Sequence, residues 1–134
     1  MIRIFSYTDH NALDSVRAYS DPDTRKLYDR NIDFYGVKEK LGTNLYVAYQ
    51  ATNRIITVGP RDCYHYILQF VDRDDNITCI FWDVEGRPET ENKVRMSLQL
   101  GGIKFIPLKN DPKGKCRVEL FLRISLGGVI PTWV

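Results

Sequence analysis

Few residues of this 134-residue chain combine a reactive type with a spacing that could support chemistry. The two histidines, His10 and His65, are far apart, and neither has a Cys, His, Asp or Glu at metal-ligand spacing, so a metal site is not expected. Cys63 and His65 alternate along one stretch, which puts both on one face if that stretch is a strand. Triads are spatial rather than sequential, so this pair alone does not specify a catalytic centre. Arg25 and Asp29 are four apart and neighbours on one face if their segment is helical. The glycine pairs Gly101-Gly102 and Gly127-Gly128 do not sit between a strand and a helix at dinucleotide-binding spacing, and are expected to be strand bends or bulges. Tyr64, Tyr66, Leu68 and Phe70 form an aromatic and aliphatic face with no basic stripe beside it, a core pattern rather than a base-stacking one.

The elements that must position these residues follow from periodicity. Ile2 to Tyr7 reads as a strand. Ala12, Leu13, Val16 and Tyr19 make one helical stripe, with Asn11 or Asp9 as cap, and Ser20-Asp21-Pro22-Asp23 starts a second short helix through Tyr28-Asp29. From Ile32 onward the signals are almost all strand. Phe34–Leu41 and Asn44–Ala51 are paired by a turn at Gly42-Thr43-Asn44, and Arg61–Val71 and Ile77–Val84 by a turn at Asp72–Asn76. Ile55-Ile56 lies in the loop between the two hairpins. Val94–Pro107 reads as one long strand. The last strand, from Cys116, is aliphatic at Val118, Leu120, Leu122, Ile124 and Leu126 and largely polar between. About seven strands with two short helices after the first give an α+β domain built on a curved antiparallel sheet, whose apolar side the two helices are too short to cover. A further helix or a ligand must cover the rest.

Composition narrows the function classes. Basic residues exceed acidic ones by two, so no strong basic field points to nucleic acid. The three cysteines, Cys63, Cys79 and Cys116, are odd in number and widely spaced, as expected of plain strand residues in the reducing cytoplasm. No apolar run approaches the ~20 residues of a membrane span, and the first residues lack a signal-peptide pattern.

Three segments together resemble the START lipid-transfer domains. Asp21 to Asp29 is similar to the family's D-x-x-x-R-x-x-W-D pattern, with Tyr28 in place of Trp. Pro60-Arg61-Asp62-Cys63 resembles the family's RD start of a central strand. Gly127-Gly128-Val129-Ile130-Pro131-Thr132-Trp133 is similar to its GG-x-IP-x-W run. The resemblance implies a helix-grip fold, in which the sheet wraps a C-terminal lid helix around an apolar tunnel. It also implies a longer domain, with the lid helix and the first helix and strands absent from this sequence.

What the resemblance implies for function is binding of a single lipid for intracellular transfer or sensing, with transient membrane contact, no enzymatic activity and no cofactor. It places Arg25 and Asp29 at the lipid phosphate, although the two could instead simply pair across the helix. By the same alignment Tyr49 or Gln50, Cys63, Gln99 and Leu122 hold the positions of the aromatic choline cage. With at most one aromatic among them, a quaternary ammonium is disfavoured. Ile67 stands where some sterol-binding members carry a buried arginine, which favours phospholipid over sterol. Alternation would turn Tyr64, Tyr66, Leu68 and Phe70 inward, whereas the alignment turns Cys63, His65, Ile67 and Gln69 inward, and the alignment is followed here. Leu120, Leu122 and Ile124 face the lipid on either reading. The alternatives are a cyclase-like helix-grip enzyme, which needs a convergent acid/base pair, and a ligand-free interaction module.

Overall fold

A computed structural model describes residues 1–54, 58–111 and 114–128. The Ile55-Ile56 pair and the run after Gly128, with Ile130 and Trp133, lie outside the described residues. The elements are β1 (Ile2–Thr8), α1 (Ala12–Ser20), α2 (Pro22–Tyr28), β2 (Ile32–Lys40), β3 (Leu45–Thr52), β4 (Arg61–Val71), β5 (Ile77–Asp83), β6 (Val94–Arg95), β7 (Ser97–Pro107) and β8 (Cys116–Ser125). They form one curved sheet of order β1-β8-β7-β5-β4-β3-β2, antiparallel throughout this path, with the two-residue β6 pairing parallel to β4. The eighth strand arises because the expected Val94–Pro107 strand breaks at Met96, whose amide donates to the Asp62 carbonyl instead of continuing the β7 ladder.

The helices start where the capping residues stand. The Asn11 side chain accepts from the Asp14 amide at 2.8 Å, and the Asp21 carboxylate accepts from the Thr24 amide at 2.8 Å ahead of Pro22. Asp21 also closes α1, its own amide donating to the Arg17 carbonyl. A single residue therefore joins the two helices and fixes the angle at which α2 leaves.

The core lies between α1 and the concave face. Ala12 and Val16 are buried against the sheet, and Tyr19 stacks on Phe81 and meets Phe105 edge-on. Registers place His65 opposite Ala48, Cys63 opposite Gln50, Ile67 opposite Phe81 and Ile103 opposite Leu120, so these all belong to that face. Tyr64 and Tyr66 point the other way. Tyr66 stacks on Trp82, and the guanidinium groups of Arg87 and Arg95 lie over Tyr64. Of the convex aromatic row, Tyr64 is thus covered by cations from the 84–95 segment and Tyr66 by Trp82, which is why alternation alone misidentifies the inward face of β4.

Neither glycine pair is a bulge. At Gly101 an added Cβ would come within 2.7 Å of the Phe81 ring and 2.8 Å of Leu122, and at Gly102 within 2.5 Å of Phe121, so both admit rings that pack against bare backbone. Gly127 and Gly128 adopt φ of +64° and +63° beyond the end of β8 and turn the chain there. The register shift in β7 falls between Leu98 and Leu100.

Candidate functional site

The two helices and the concave face enclose a cleft of about 680 Å³, within the range of roughly 300–1,000 Å³ that holds a small ligand. One wall is aliphatic: Leu98 from β7, Leu120, Leu122 and Ile124 from β8, and Leu126 after it. Toward the other side of the sheet α2, β3 and β4 carry the polar lining: Arg25, Asp29 and Asn31 near α2, Gln50 from β3, and Arg61, Cys63 and His65 from β4. This is the arrangement of an amphiphile: hydrocarbon along one wall, polar atoms on the other side.

Arg25 dominates the polar side. It is the one buried residue of α2, 8% exposed, whereas Leu27 is 83% and Tyr28 57% exposed. The helix therefore buries a cation and exposes a leucine, the reverse of an ordinary amphipathic helix. The guanidinium lies 4.5 Å from the Tyr19 ring centre and 4.3 Å from that of Tyr35, held between two π faces, and donates to the Gln50 side-chain oxygen at 3.2 Å. Among the described residues no carboxylate is within ion-pair distance of it. Burial pushes the Tyr19 and Tyr35 phenols up, with Arg25 pulling them partly back, so both rings are neutral and leave its charge uncompensated. The simple helix pair with Asp29 is not formed: the two residues share only a main-chain bond, from the Asp29 amide to the Arg25 carbonyl.

Cys63 and His65 meet through Sγ and Nδ1 at 3.6 Å. Burial pushes the thiol up to about 12, and burial, helped by Arg25, pulls the imidazole down to about 4. Both groups are neutral near neutral pH, so the pair is neither a thiolate–imidazolium dyad nor poised for proton transfer there. Among the described residues no cluster of His, Cys, Asp or Glu is arranged to hold a metal, and no helix is long and apolar enough to cross a membrane.

Of the residues expected at the site, Arg25, Asp29, Cys63, His65, Leu120, Leu122 and Ile124 line the cleft, and Tyr49, Ile67 and Gln99 do not. Tyr49 points to the convex side, packed between Phe34 and Tyr64 with its hydroxyl donating to Thr90, and Gln50 takes the inward place. Ile67 is on the concave face but packed into the core. Gln99 is the extra residue of the β7 register shift and is exposed, while Leu98 turns inward. Sequence reasoning missed Tyr19 and Tyr35 as the rings that hold Arg25. Their cue was weak: Tyr19 sits on the apolar stripe of α1 and reads as core.

The Arg61-Asp62 dipeptide serves the frame. Arg61 donates from Nε to the Leu126 carbonyl at 2.8 Å and from Nη1 to that of Gly59 at 2.9 Å. Asp62, fully buried, accepts from Arg95 at 2.8 Å and from the Thr90 hydroxyl. Burial alone would raise its carboxyl, but these bonds outweigh it and hold the group below its usual range.

No protein-family model and no curated protein matches the chain. Solved structures do. The human StarD13 (DLC2) lipid transfer and protein localization domain superposes with a TM-score of 0.83 at 19% identity, over 98% of this chain and 65% of that one. Human StAR-related lipid transfer protein 5 gives 0.83 at 22%, over 97% and 63%. A STAR-related lipid transfer protein from Xanthomonas axonopodis gives 0.77 at 19%, over 98% and 72%. The chain spans less than two thirds of the two human structures. The fold of this chain is the START helix-grip fold.

Proposed function

We propose that the cleft binds one lipid whose anionic head group meets Arg25 and whose hydrocarbon lies along β8, for intracellular transfer or sensing. The observation that carries this reading is Arg25 itself: a nearly buried cation, held between two neutral rings, with an apolar wall beside it and no carboxylate partner among the described residues. A buried charge left unpaired costs several kcal/mol, roughly, and a phosphate or carboxylate is the group that offsets it. A sterol hydroxyl is neutral and does not, which favours a phospholipid. On this reading Asp29, which lines the same cleft, meets a head-group cation or hydroxyl.

The hydrocarbon end sets the exchange. Each methylene removed from water contributes about 0.8 kcal/mol, but a bilayer offers nearly the same, so the cleft outcompetes water easily and a membrane only slightly. Loading and release by transient membrane contact follow from that balance. Fold likeness to proteins named for lipid transfer supports the reading.

The test is organic extraction and lipid mass spectrometry of the full chain purified from cells, with uptake measured from vesicles of phosphatidylcholine and phosphatidic acid. One phospholipid per protein, lost with Arg25→Gln, is the expected result. Neither extracted lipid nor uptake would leave the cleft as part of a ligand-free interaction module.

A further inference from the structure

His65 is 4% exposed, lines the cleft, and uses only Nδ1 within the protein, toward Cys63. Its Nε2 has no hydrogen-bond partner among the described residues. Phe81 meets the ring at an edge-on angle of 78° and supplies no polar atom. The side chain is more than nine-tenths buried, yet Nε2 itself reaches the cleft, where a ligand atom can complete its bonding.

Which atom depends on where the imidazole proton sits. A protonated thiol is a better donor to an imidazole nitrogen than its sulfur is an acceptor. The Sγ–Nδ1 contact is therefore read as S–H donating to Nδ1, which puts the ring proton on Nε2. His65 then presents a donor to the cleft. Arg25 presents only donors as well, so the wall at this end asks for two acceptors: an anionic oxygen and a second, neutral one.

We infer that His65, held by Cys63 in its Nε2-protonated form, donates a hydrogen bond to an acyl carbonyl of the ligand, so that the cleft selects an ester-linked lipid over its ether-linked counterpart. This rests on the lipid reading above and adds a specificity residue to it. Acyl phospholipids carry their ester carbonyl next to the phosphate, and His65 lines the same cleft as Arg25, close enough for the guanidinium to act on its ring.

The probes are palmitoyl lysophosphatidic acid and its hexadecyl ether analogue, which share the phosphate and chain and differ in the carbonyl. Titrated calorimetrically into the full chain, the ester should bind about fivefold tighter, the worth of one neutral hydrogen bond. His65→Phe should bind the two alike, and Arg25→Gln should weaken both. Equal affinities in the wild type would overturn the His65 assignment while leaving the lipid reading intact, and binding of neither lipid would remove both. Nitrogen-15 histidine spectra of the wild type test the donor without any variant: an Nε2-protonated ring is expected, and an Nδ1-protonated one overturns the inference.

Discussion

Arg25 and Arg61 are equally hidden, at 8% and 5% exposure, and both belong to segments that resemble a family motif, yet their surroundings are opposites. Arg61 is surrounded by main-chain carbonyls, those of Gly59, Pro60, Leu126 and Gly127, and its neighbour Asp62 is tied to Arg95 and Thr90. Arg25 has two ring faces and one amide oxygen. The Arg61 region is complete within the chain and the Arg25 region is not. Burial alone marks neither as functional; what distinguishes them is how much of each group's bonding the protein itself fulfils.

The sharpest break in this comparison comes from removing a member of the complete region. Asp62→Ala removes a fully buried carboxylate and leaves Arg95, 29% exposed, and the Thr90 hydroxyl without it, and should cost about 3 kcal/mol of unfolding free energy, read by urea denaturation. A loss under about 1 kcal/mol would mean that the network is surface-like despite its burial.

Acid separates the two regions by pH. His65 has a folded value of about 4 against an ordinary 6.5, so the unfolded chain binds the extra proton first. Its contribution is full above pH 6.5 and is lost as pH falls toward 4, a total of about 3 kcal/mol at 1.36 kcal/mol per unit. Asp62 is depressed below 3.8, so its contribution is present above that value and fades only at lower pH. Denaturation of lipid-free protein across this range should show two separate declines, the upper one absent in His65→Gln. A single decline below pH 4 would contradict the buried neutral imidazole.

A smaller effect belongs to the turn held by Arg61. Gly127 has φ of +64°, and a Cβ there would lie 2.4 Å from the Arg95 carbonyl oxygen, so Gly127→Ala should cost about 2 kcal/mol or somewhat more. Gly86, at φ of +71° with open space around it, should lose only about 1 kcal/mol on the same change. The difference between the two thermal shifts isolates the crowding against Arg95. Equal shifts would show that the chain relaxes away from it.

The frame was legible because it obeys local rules. Asn11 and Asp21 cap the helices they precede, and the alternation from Val118 to Leu126 turns its aliphatic residues to the concave face as a half-buried strand must. The site was legible only in part, because three of its determinants are not local. Which face of β4 is inward depends on Arg87 and Arg95 arriving from another segment to cover Tyr64. The exclusion of Gln99 depends on a register shift that leaves no mark in its own neighbourhood. The role of Tyr19 and Tyr35 depends on a cation from α2 entering between them. Period-two and period-3.6 patterns report burial, and at this end of the cleft burial and polarity run together.

The smallest expected effect is the most discriminating. Arg25→Met keeps the length and apolar stem of the side chain between Tyr19 and Tyr35 and removes the charge. If Arg25 were a structural residue like Arg61, this change should cost several kcal/mol. A buried cation without a counter-ion instead stabilises the lipid-free fold little, because its desolvation cancels the ring contacts, and the change should fall within about 1 kcal/mol of zero or raise stability. The same variant should lose uptake of phosphatidic acid from vesicles. Unchanged folding with lost uptake assigns the guanidinium to a ligand, whereas a loss of several kcal/mol would place it with Arg61 as part of the frame.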